Sequence, residues 1–284
     1  MLQFFHKYKG FGMNKEDYLI NKLSSSYIGD DGAVIGNKVY SMDAFFENVH
    51  FKRKWMTLTQ IARKVMLVNI SDAIAMNAKP LYALVTLSLP KDIGIEDIDE
   101  ILTSLHKVAS EYSCEIIGGD TIAGERLDFS ITIISETENA LTRKGLKEGD
   151  FLAYTGVLGE SKRDLNRLFK GEKVDENSRF INPILREEFV EKARPYFRVG
   201  MDISDGLFCD TNKLLAYNNL GFEPLVEIGD EIGSSGEEYE MLVGFDGGNL
   251  EPIQKIAYDL NLPLTLFAKV TNNNKRFVCV GHHF

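Results

Sequence analysis

The chain has 284 residues, of which 44% are hydrophobic and 26% charged, and it carries a formal net charge of -10. This composition is that of an ordinary soluble globular protein, and the length predicts about two domains. An acidic protein is repelled by a nucleic-acid backbone, so no nucleic-acid partner is expected. Residues 1–11 lack the continuous apolar core of a signal peptide, and the stretch 80–90 is too short to cross a bilayer. We therefore expect no membrane association.

The three cysteines, Cys114, Cys209 and Cys279, are far apart and odd in number. None belongs to a Cys-x-x-Cys pair or to a Cys/His spacing typical of zinc sites. We therefore predict a reducing, cytoplasmic setting and no chemistry for the three thiols.

The first half of the chain predicts alternating strands and helices. A helix is expected over 57–78, and a second over 95–112, where apolar residues recur every three or four positions. Between them, 81–89 is rich in Val, Leu and Thr and stops at Pro90, which is typical of a strand. Further short strands are predicted over 39–43, 114–117 and 129–134.

The charged stretch 143–150 predicts a junction, which divides the chain into lobes 1–142 and 143–284. Beyond it we predict the strands 151–155, 199–203, 222–228, 239–243 and 264–270. The predicted helices are 161–169, 184–196, 207–219 and 251–260. This mixed order is typical of an α+β fold with two lobes, each a sheet covered by helices.

Aspartates recur beside small or apolar residues, where strands are predicted to end or turns to begin: Asp30, Asp31, Asp43, Asp72, Asp120, Asp202 and Asp205. Taken singly, each is typical of a turn or a helix cap. Taken together, they favour a magnesium site, because Mg²⁺ at a phosphate binds a few carboxylates together with water and phosphate oxygens. Asn69 and Asp72 are three apart on the first predicted helix and would face the same side.

The common nucleotide-binding motifs are absent. The sequence has no Gly-x-x-x-x-Gly-Lys-Ser/Thr loop, no Gly-x-Gly-x-x-Gly and no protein-kinase motif set. If ATP binds, metal ions and backbone amides must therefore provide most of the phosphate recognition.

In their order, the motifs resemble those of the thiamine-monophosphate kinase family, which belongs to a superfamily with aminoimidazole ribonucleotide synthetase and selenophosphate synthetase. The resemblance spans nearly the whole chain. The matching segments are IGDDGAV (28–34), SMD (41–43), ENVHF (47–51), VNISDAIAM (68–76), GGDT (118–121), TGVLG (155–159), MDISDGL (201–207) and GEEYE (236–240).

The resemblance implies a PurM-like fold with the active site in the cleft between the lobes, and an N-terminal lobe that pairs in a homodimer. It also implies ATP-dependent phosphorylation of thiamine monophosphate to thiamine diphosphate, assisted by several Mg²⁺ ions. The implied metal ligands are Asp30, Ser41, Met42, Asp43, Asp72, Asp120, Asp202 and Asp205. The implied ATP contacts are Gly119, Asp120, Arg143 and Ser204, and the implied substrate contacts are His50, Glu238 and His282.

The chain departs from the family pattern at several of these positions. Met42 replaces the usual threonine, so ligation there must come from the main chain. Glu238 is one methylene longer than the usual aspartate, and His282 stands where the family tends to place an aromatic residue.

The chemistry of the residues agrees with a phosphate acceptor. Attack of one phosphate on another brings two anions together, and bound Mg²⁺ with in-line positioning makes this approach feasible. The reaction therefore requires no Ser/His/Asp arrangement. Two alternatives stay open: another ATP-dependent synthetase of the same superfamily, and a non-catalytic acidic module that binds divalent cations. A selenophosphate-type enzyme would carry a cysteine in its N-terminal loop, and a hydrogenase-maturation relative would end in cysteine; this chain does neither.

Overall fold

The computed structural model describes residues 15–279. The predictions for residues 1–11 and for His282 lie outside the described residues. The described strands are β1 Ala33–Ile35, β2 Lys38–Phe46, β3 Lys79–Leu89, β4 Glu115–Ala123, β5 Asp128–Glu136, β6 Phe151–Thr155, β7 Val199–Asp202, β8 Gly221–Pro224, β9 Met241–Phe245 and β10 Leu264–Thr271. The described helices are α1 Lys15–Lys22, α2 Leu58–Ala75, α3 Ile95–Glu111, α4 Glu160–Phe169, α5 Glu187–Ala193, α6 Leu207–Tyr217, α7 Asp230–Gly233 and α8 Leu250–Asp259.

The strands form two five-stranded sheets. The first has the order β1-β2-β5-β3-β4 and is mixed, because β3 and β4 pair in parallel while the other pairs are antiparallel. The second has the order β7-β9-β6-β10-β8, with every pair antiparallel. The predicted fold of two lobes, each a sheet covered by helices, is confirmed. Within residues 15–279, none of the helices combines the length and hydropathy needed to cross a membrane.

Helix α2 packs against both lobes. It begins with a capping box, in which Thr57 accepts from the Gln60 amide and the Gln60 side chain accepts from the Thr57 amide. Most of its residues are buried on all sides, and it contacts β2, β3, β5 and α3 of the first lobe and β7 and α5 of the second. A single apolar core therefore continues from α2 into the second lobe, where it includes Tyr239 and Phe245.

Strand β4 is longer than the sequence predicts. It continues through Gly118, Gly119 and Asp120, where we expected the strand to have ended. At Gly119, a Cβ atom would lie 1.7 Å from the Val85 carbonyl oxygen of β3. The glycine therefore allows the two strands to approach closely, and the strand passes through the motif without a turn.

The prediction for the cysteines is wrong for two of the three. Cys209, on α6, forms a disulfide with Cys279, and the two Cα atoms lie 5.4 Å apart. Sequence spacing could not show this, because the fold brings together residues separated by 70 positions. Cys114 is free and buried, and burial raises the pKa of its thiol to about 11.

We predict that reduction of the Cys209–Cys279 disulfide lowers thermal stability without unfolding the C-terminal segment. A disulfide that closes a loop of this length restricts the unfolded chain, which stabilises the folded protein by up to about 4 kcal/mol. The segment stays attached because Phe277 stacks on Phe208 and Phe222, with ring centroids 4.3 Å apart in both pairs. Differential scanning fluorimetry of oxidised and reduced protein measures the shift, and Cys209→Ser should abolish it. Three titratable thiols in denatured protein that has been exposed to an oxidant would contradict the disulfide.

Candidate active site

Three aspartates from distant parts of the chain meet at the boundary between the lobes. Asp31 lies in the loop before β1, Asp72 on α2 and Asp202 at the end of β7. One carboxylate oxygen from each lies within 4.8 Å of the others. We call Asp31, Asp72 and Asp202 the acidic cluster. The predicted convergence of dispersed aspartates is thus present for these three.

Polar side chains of α2 hold the cluster together. The Ser71 hydroxyl donates to Asp202 Oδ2 at 2.6 Å, which joins α2 to β7 across the lobe boundary. Asn69 Oδ1 accepts from the Asp43 amide of β2 at 2.9 Å, and its Nδ2 donates to the Val65 carbonyl. Asn69 and Asp72 are spaced to face the same side of α2. Asp72 belongs to the cluster, whereas Asn69 orients β2 through its hydrogen bond with the Asp43 amide.

Burial, together with the charges of neighbouring carboxylates, raises the pKa values of Asp72, Asp202 and Asp43. Burial, followed by the charges of Asp43 and Asp202, raises the pKa of Asp72 well above its usual range. Burial and the Asp31 charge do the same for Asp202. Burial raises the pKa of Asp43 to about 6, with Asp31 and Asp205 contributing. Like charges at such short separations are unfavourable unless a cation or protons neutralise them.

The donor set fits a hard divalent cation. Carboxylate and hydroxyl oxygens are the ligands that Mg²⁺ prefers. Two buried oxygens beside β1 and β2, Asp31 Oδ2 and Ser41 Oγ, have no hydrogen-bond partner. Buried polar atoms normally find a partner, and a bound cation would satisfy both of these oxygens.

The adjacent residues Asp30 and Asp31 have different roles. Asp30 Oδ1 accepts from the Arg143 amide at 2.6 Å, which fixes the junction between the lobes. Asp31 is in the acidic cluster and forms an ion pair with the Arg143 guanidinium. Although burial opposes it, this pairing raises the pKa of Arg143 above its usual value. The residue pattern pointed to both aspartates, whereas the ligand set implied by the family resemblance included Asp30 and left out Asp31. Nothing in the pair itself shows which side chain turns inward.

The turn after β7 carries a second charged group. Asp205 pairs with Lys213, and its amide donates to Asp210 Oδ2 at 3.0 Å. Asp210 is fully buried, and burial raises its pKa to about 6. Sequence reasoning missed Asp210 and Lys213. The three-residue spacing between Asp210 and Lys213 on α6 is a signal that could have identified them as a charged pair.

The remaining metal and ATP candidates lie on the first sheet. On β2, Ser41 is buried and Asp43 half-buried on the helix-covered face. Met42 lies between them and is 64% exposed on the opposite face, so its side chain points away from the acidic cluster. Asp120 is exposed on β4 beside Gly119, outside the cluster. Ser204 is half-buried in the turn after β7.

The described substrate candidates occupy different surroundings. His50 is half-buried, stacks on Phe45 with ring centroids 5.3 Å apart, and accepts from the Phe46 amide through Nδ1 at 3.0 Å. Glu238 is fully buried and accepts from the amides of Gly159 and Ser161 at 2.8 and 3.2 Å. In this arrangement Glu238 orders the loop before α4 and does not line an open cleft.

The comparisons with known proteins agree with this fold. Residues 29–137 match the family described as AIR synthase related protein, N-terminal domain. The thiamine-monophosphate kinase of Aquifex aeolicus is 30% identical over 74% of this chain and 72% of its own. That of Leptospira interrogans is 31% identical over 78% of each chain. The solved structure of AaThiL complexed with AMPPCP and TMP matches with a TM-score of 0.83 and 25% identity, over 95% of this chain and 96% of the other.

The fold and the cluster define a two-lobed α+β protein whose N-terminal lobe matches the AIR synthase-related family. Within that class, the chain belongs to the thiamine-monophosphate kinase family.

We predict that the metal-free protein loses stability as the pH rises from about 4 through about 6. In this range Asp43, Asp72 and Asp202 keep protons in the native state that the unfolded chain has released, because their native pKa values are raised, that of Asp43 to about 6. The native state then binds more protons than the unfolded state, so the free energy of unfolding falls with rising pH. Thermal melts in EDTA measure the slope, and added Mg²⁺ should raise the melting temperature most at high pH.

Asp72→Asn provides the comparison for this test. It removes one of the repelling carboxylates, so we expect a higher melting temperature in EDTA, a shallower pH slope and a weaker response to Mg²⁺. Asp259→Asn, at an exposed position on α8, is the matched control and should behave as wild type. An equal Mg²⁺ response in both variants would contradict a metal site at the cluster.

Proposed function

We propose that this protein transfers the terminal phosphate of ATP to thiamine monophosphate, forming thiamine diphosphate. The observation that supports this most directly is the acidic cluster, because its three carboxylates come from three family motifs and meet at the lobe boundary. The names of the relatives and the AMPPCP and TMP of the matching structure support the same pair of substrates.

The reaction needs charge neutralisation more than covalent help. Bound Mg²⁺ would neutralise the phosphate oxygens as the two anions approach each other. The candidate ligands are Asp31, Asp72 and Asp202, with Ser41 and Asp43 beside them, and Asp30, Asp120, Asp205 and the Met42 main chain complete the proposed set. The acceptor oxygen of a phosphate is ionised near neutral pH, so no side chain has to remove a proton from it.

The other parts of the proposal follow the family motifs. We assign ATP contacts to Gly119, Asp120, Arg143 and Ser204, and substrate contacts to His50, Glu238 and His282. Since Arg143 pairs with Asp31 and Glu238 is buried, nucleotide and substrate binding would have to rearrange their contacts. We retain the boundary between residues 142 and 143 as the division of the two lobes.

We place the reaction in the cytoplasm, where ATP is abundant. Glutathione and thioredoxin keep most cytosolic thiols reduced. In that compartment Cys209 and Cys279 would be found mainly as thiols, and the disulfide would form on exposure to oxidant.

We also propose that the protein forms a homodimer through the uncovered face of the first sheet. On this face, Tyr40 of β2 and Tyr82 of β3 lie opposite the same residue of β5, the strand between them. Met42 of β2 and Leu84 of β3 likewise lie opposite one residue of β5. These four side chains are between 38% and 64% exposed. A contiguous apolar patch on a sheet is typical of an interaction surface, and a second copy of the same face would cover it.

We predict that the wild-type protein forms thiamine diphosphate only when thiamine monophosphate, ATP and Mg²⁺ are all present. Chromatographic detection of the product measures this, and EDTA should abolish it. Asp72→Asn should lower kcat by about 100-fold or more, as expected for loss of a group that neutralises transition-state charge. Asp259→Asn should retain wild-type activity.

Two results would redirect the proposal. Mg²⁺-dependent turnover of ATP without thiamine diphosphate would keep the cluster and reject the substrate, in favour of another synthetase of the superfamily. Mg²⁺ binding without any ATP turnover would favour a non-catalytic module.

We predict that Leu84→Glu converts the dimer into a monomer, because it buries a charge at the centre of the proposed interface. Light scattering after gel filtration measures the mass. Tyr258→Glu is the control, since Tyr258 is 82% exposed on α8 of the other lobe. A wild-type monomer at micromolar concentration would reject the dimer.

A further inference from the structure

Lys64 is a charged residue in the middle of the apolar core. It lies on α2, about two turns before Asp72, and is fully buried, with an exposed fraction of 0%. Its neighbours Val65 and Ile61 belong to the core. A buried ammonium is unfavourable unless it is paired, so its partners indicate what the charge does there.

The partners of Lys64 connect the two lobes. Its Nζ lies 2.6 Å from Glu237 Oε2, and Glu237 belongs to the second lobe. The ammonium also lies 3.6 Å from the ring centroid of Phe180 and 5.7 Å from that of Phe45. Lys64 is therefore held between an aromatic ring from each lobe and pairs with a carboxylate across the boundary.

Glu237 belongs to the segment 237–240, which lies beside the turn that follows Asp202. The Glu237 amide donates to the Ser204 carbonyl at 2.8 Å, and the Tyr239 amide donates to the Ile203 carbonyl at 2.9 Å. In return, the Ile203 amide donates to the Glu240 carbonyl at 2.8 Å. A displacement of the segment would therefore move the residues that immediately follow the acidic cluster.

The segment has a backbone conformation that needs support. Glu237 and Tyr239 have φ values of 55° and 53°, in the left-handed region that residues other than glycine rarely adopt. Such conformations persist only where surrounding contacts fix them, and they cluster at functional sites. From the second lobe, Ser161 Oγ donates to the Glu237 carbonyl at 2.9 Å. The ion pair with Lys64 adds support from the first lobe.

We propose that Lys64 is a positioning residue for phosphoryl transfer: through its ion pair with Glu237, it holds segment 237–240 and the Ile203–Ser204 turn in register with α2. The ligands contributed by α2 and by β7 then keep their relative positions while substrates bind. This inference rests on the proposed function for its catalytic consequence, but its structural consequence is independent of the substrate.

The test compares Lys64→Met, Glu237→Gln and the double variant with the wild type. Methionine has a similar length to lysine and packs well against aromatic rings, so the double variant removes both charges without leaving a cavity. We expect its melting temperature to stay within a few degrees of wild type. A misplacement of about 1 Å lowers rates by about 100-fold, so we expect kcat to fall by that factor with little change in KM for ATP.

The two single variants should each lower kcat about as much as the double variant, since they break the same pair. Hydrogen exchange supplies a readout that needs no turnover: the amides of Ile203, Glu237 and Tyr239 should exchange at least about tenfold faster in the double variant. The control is Arg63→Met. Arg63 also joins α2 to the second lobe, through Asn182 at 2.7 Å, without contacting segment 237–240, so kcat and these amides should be unaffected.

Three outcomes overturn the inference. The first two are unchanged exchange of the three amides in the double variant and a kcat of the double variant within threefold of wild type. The third is an equal loss in Arg63→Met, because it would show a general loosening of the lobes. Failure of the proposed function is a separate result. In that case wild type makes no thiamine diphosphate, and hydrogen exchange alone still decides whether Lys64 positions the segment.

Discussion

The structure depends on holding like charges together across the boundary of two lobes. Asp31, Asp72 and Asp202 repel one another, and no single lobe contains all three. Helix α2 makes the arrangement stable because it is buried against both sheets and its apolar residues form one continuous core. The free energy gained by burying that helix offsets the electrostatic repulsion that it brings with it.

Three groups of opposite charges surround the cluster. Arg143 pairs with Asp31, Lys213 lies between Asp205 and Asp210, and Lys64 pairs with Glu237. These pairs link β7, α6 and the junction of the lobes to the residues that would bind phosphate. Removing one partner of such a pair is destabilising, because it leaves the other charge uncompensated in a largely buried site.

The second lobe is closed by its own C-terminal segment. Phe277 stacks between Phe208 and Phe222, and Asn212 exchanges two hydrogen bonds with the Phe277 backbone. The Cys209–Cys279 disulfide lies at the end of the same segment, on α6, the helix that carries Asp210 and Lys213. The aromatic packing and the disulfide therefore hold the same segment against α6.

The sequence by itself determined the element order, the two-lobed α+β fold and the residue types of the site. Helices α2 and α3 follow from apolar spacing, and the aspartate motifs in order indicate the family. Only the tertiary structure decided which carboxylates meet, because adjacent residues such as Asp30 and Asp31 differ only in the direction their side chains take. It also decided that β4 continues through Gly119, that Glu238 is buried, that Cys209 and Cys279 are joined and that Lys64 crosses the boundary. Each of these depends on contacts between residues far apart in the chain, which local periodicity cannot encode.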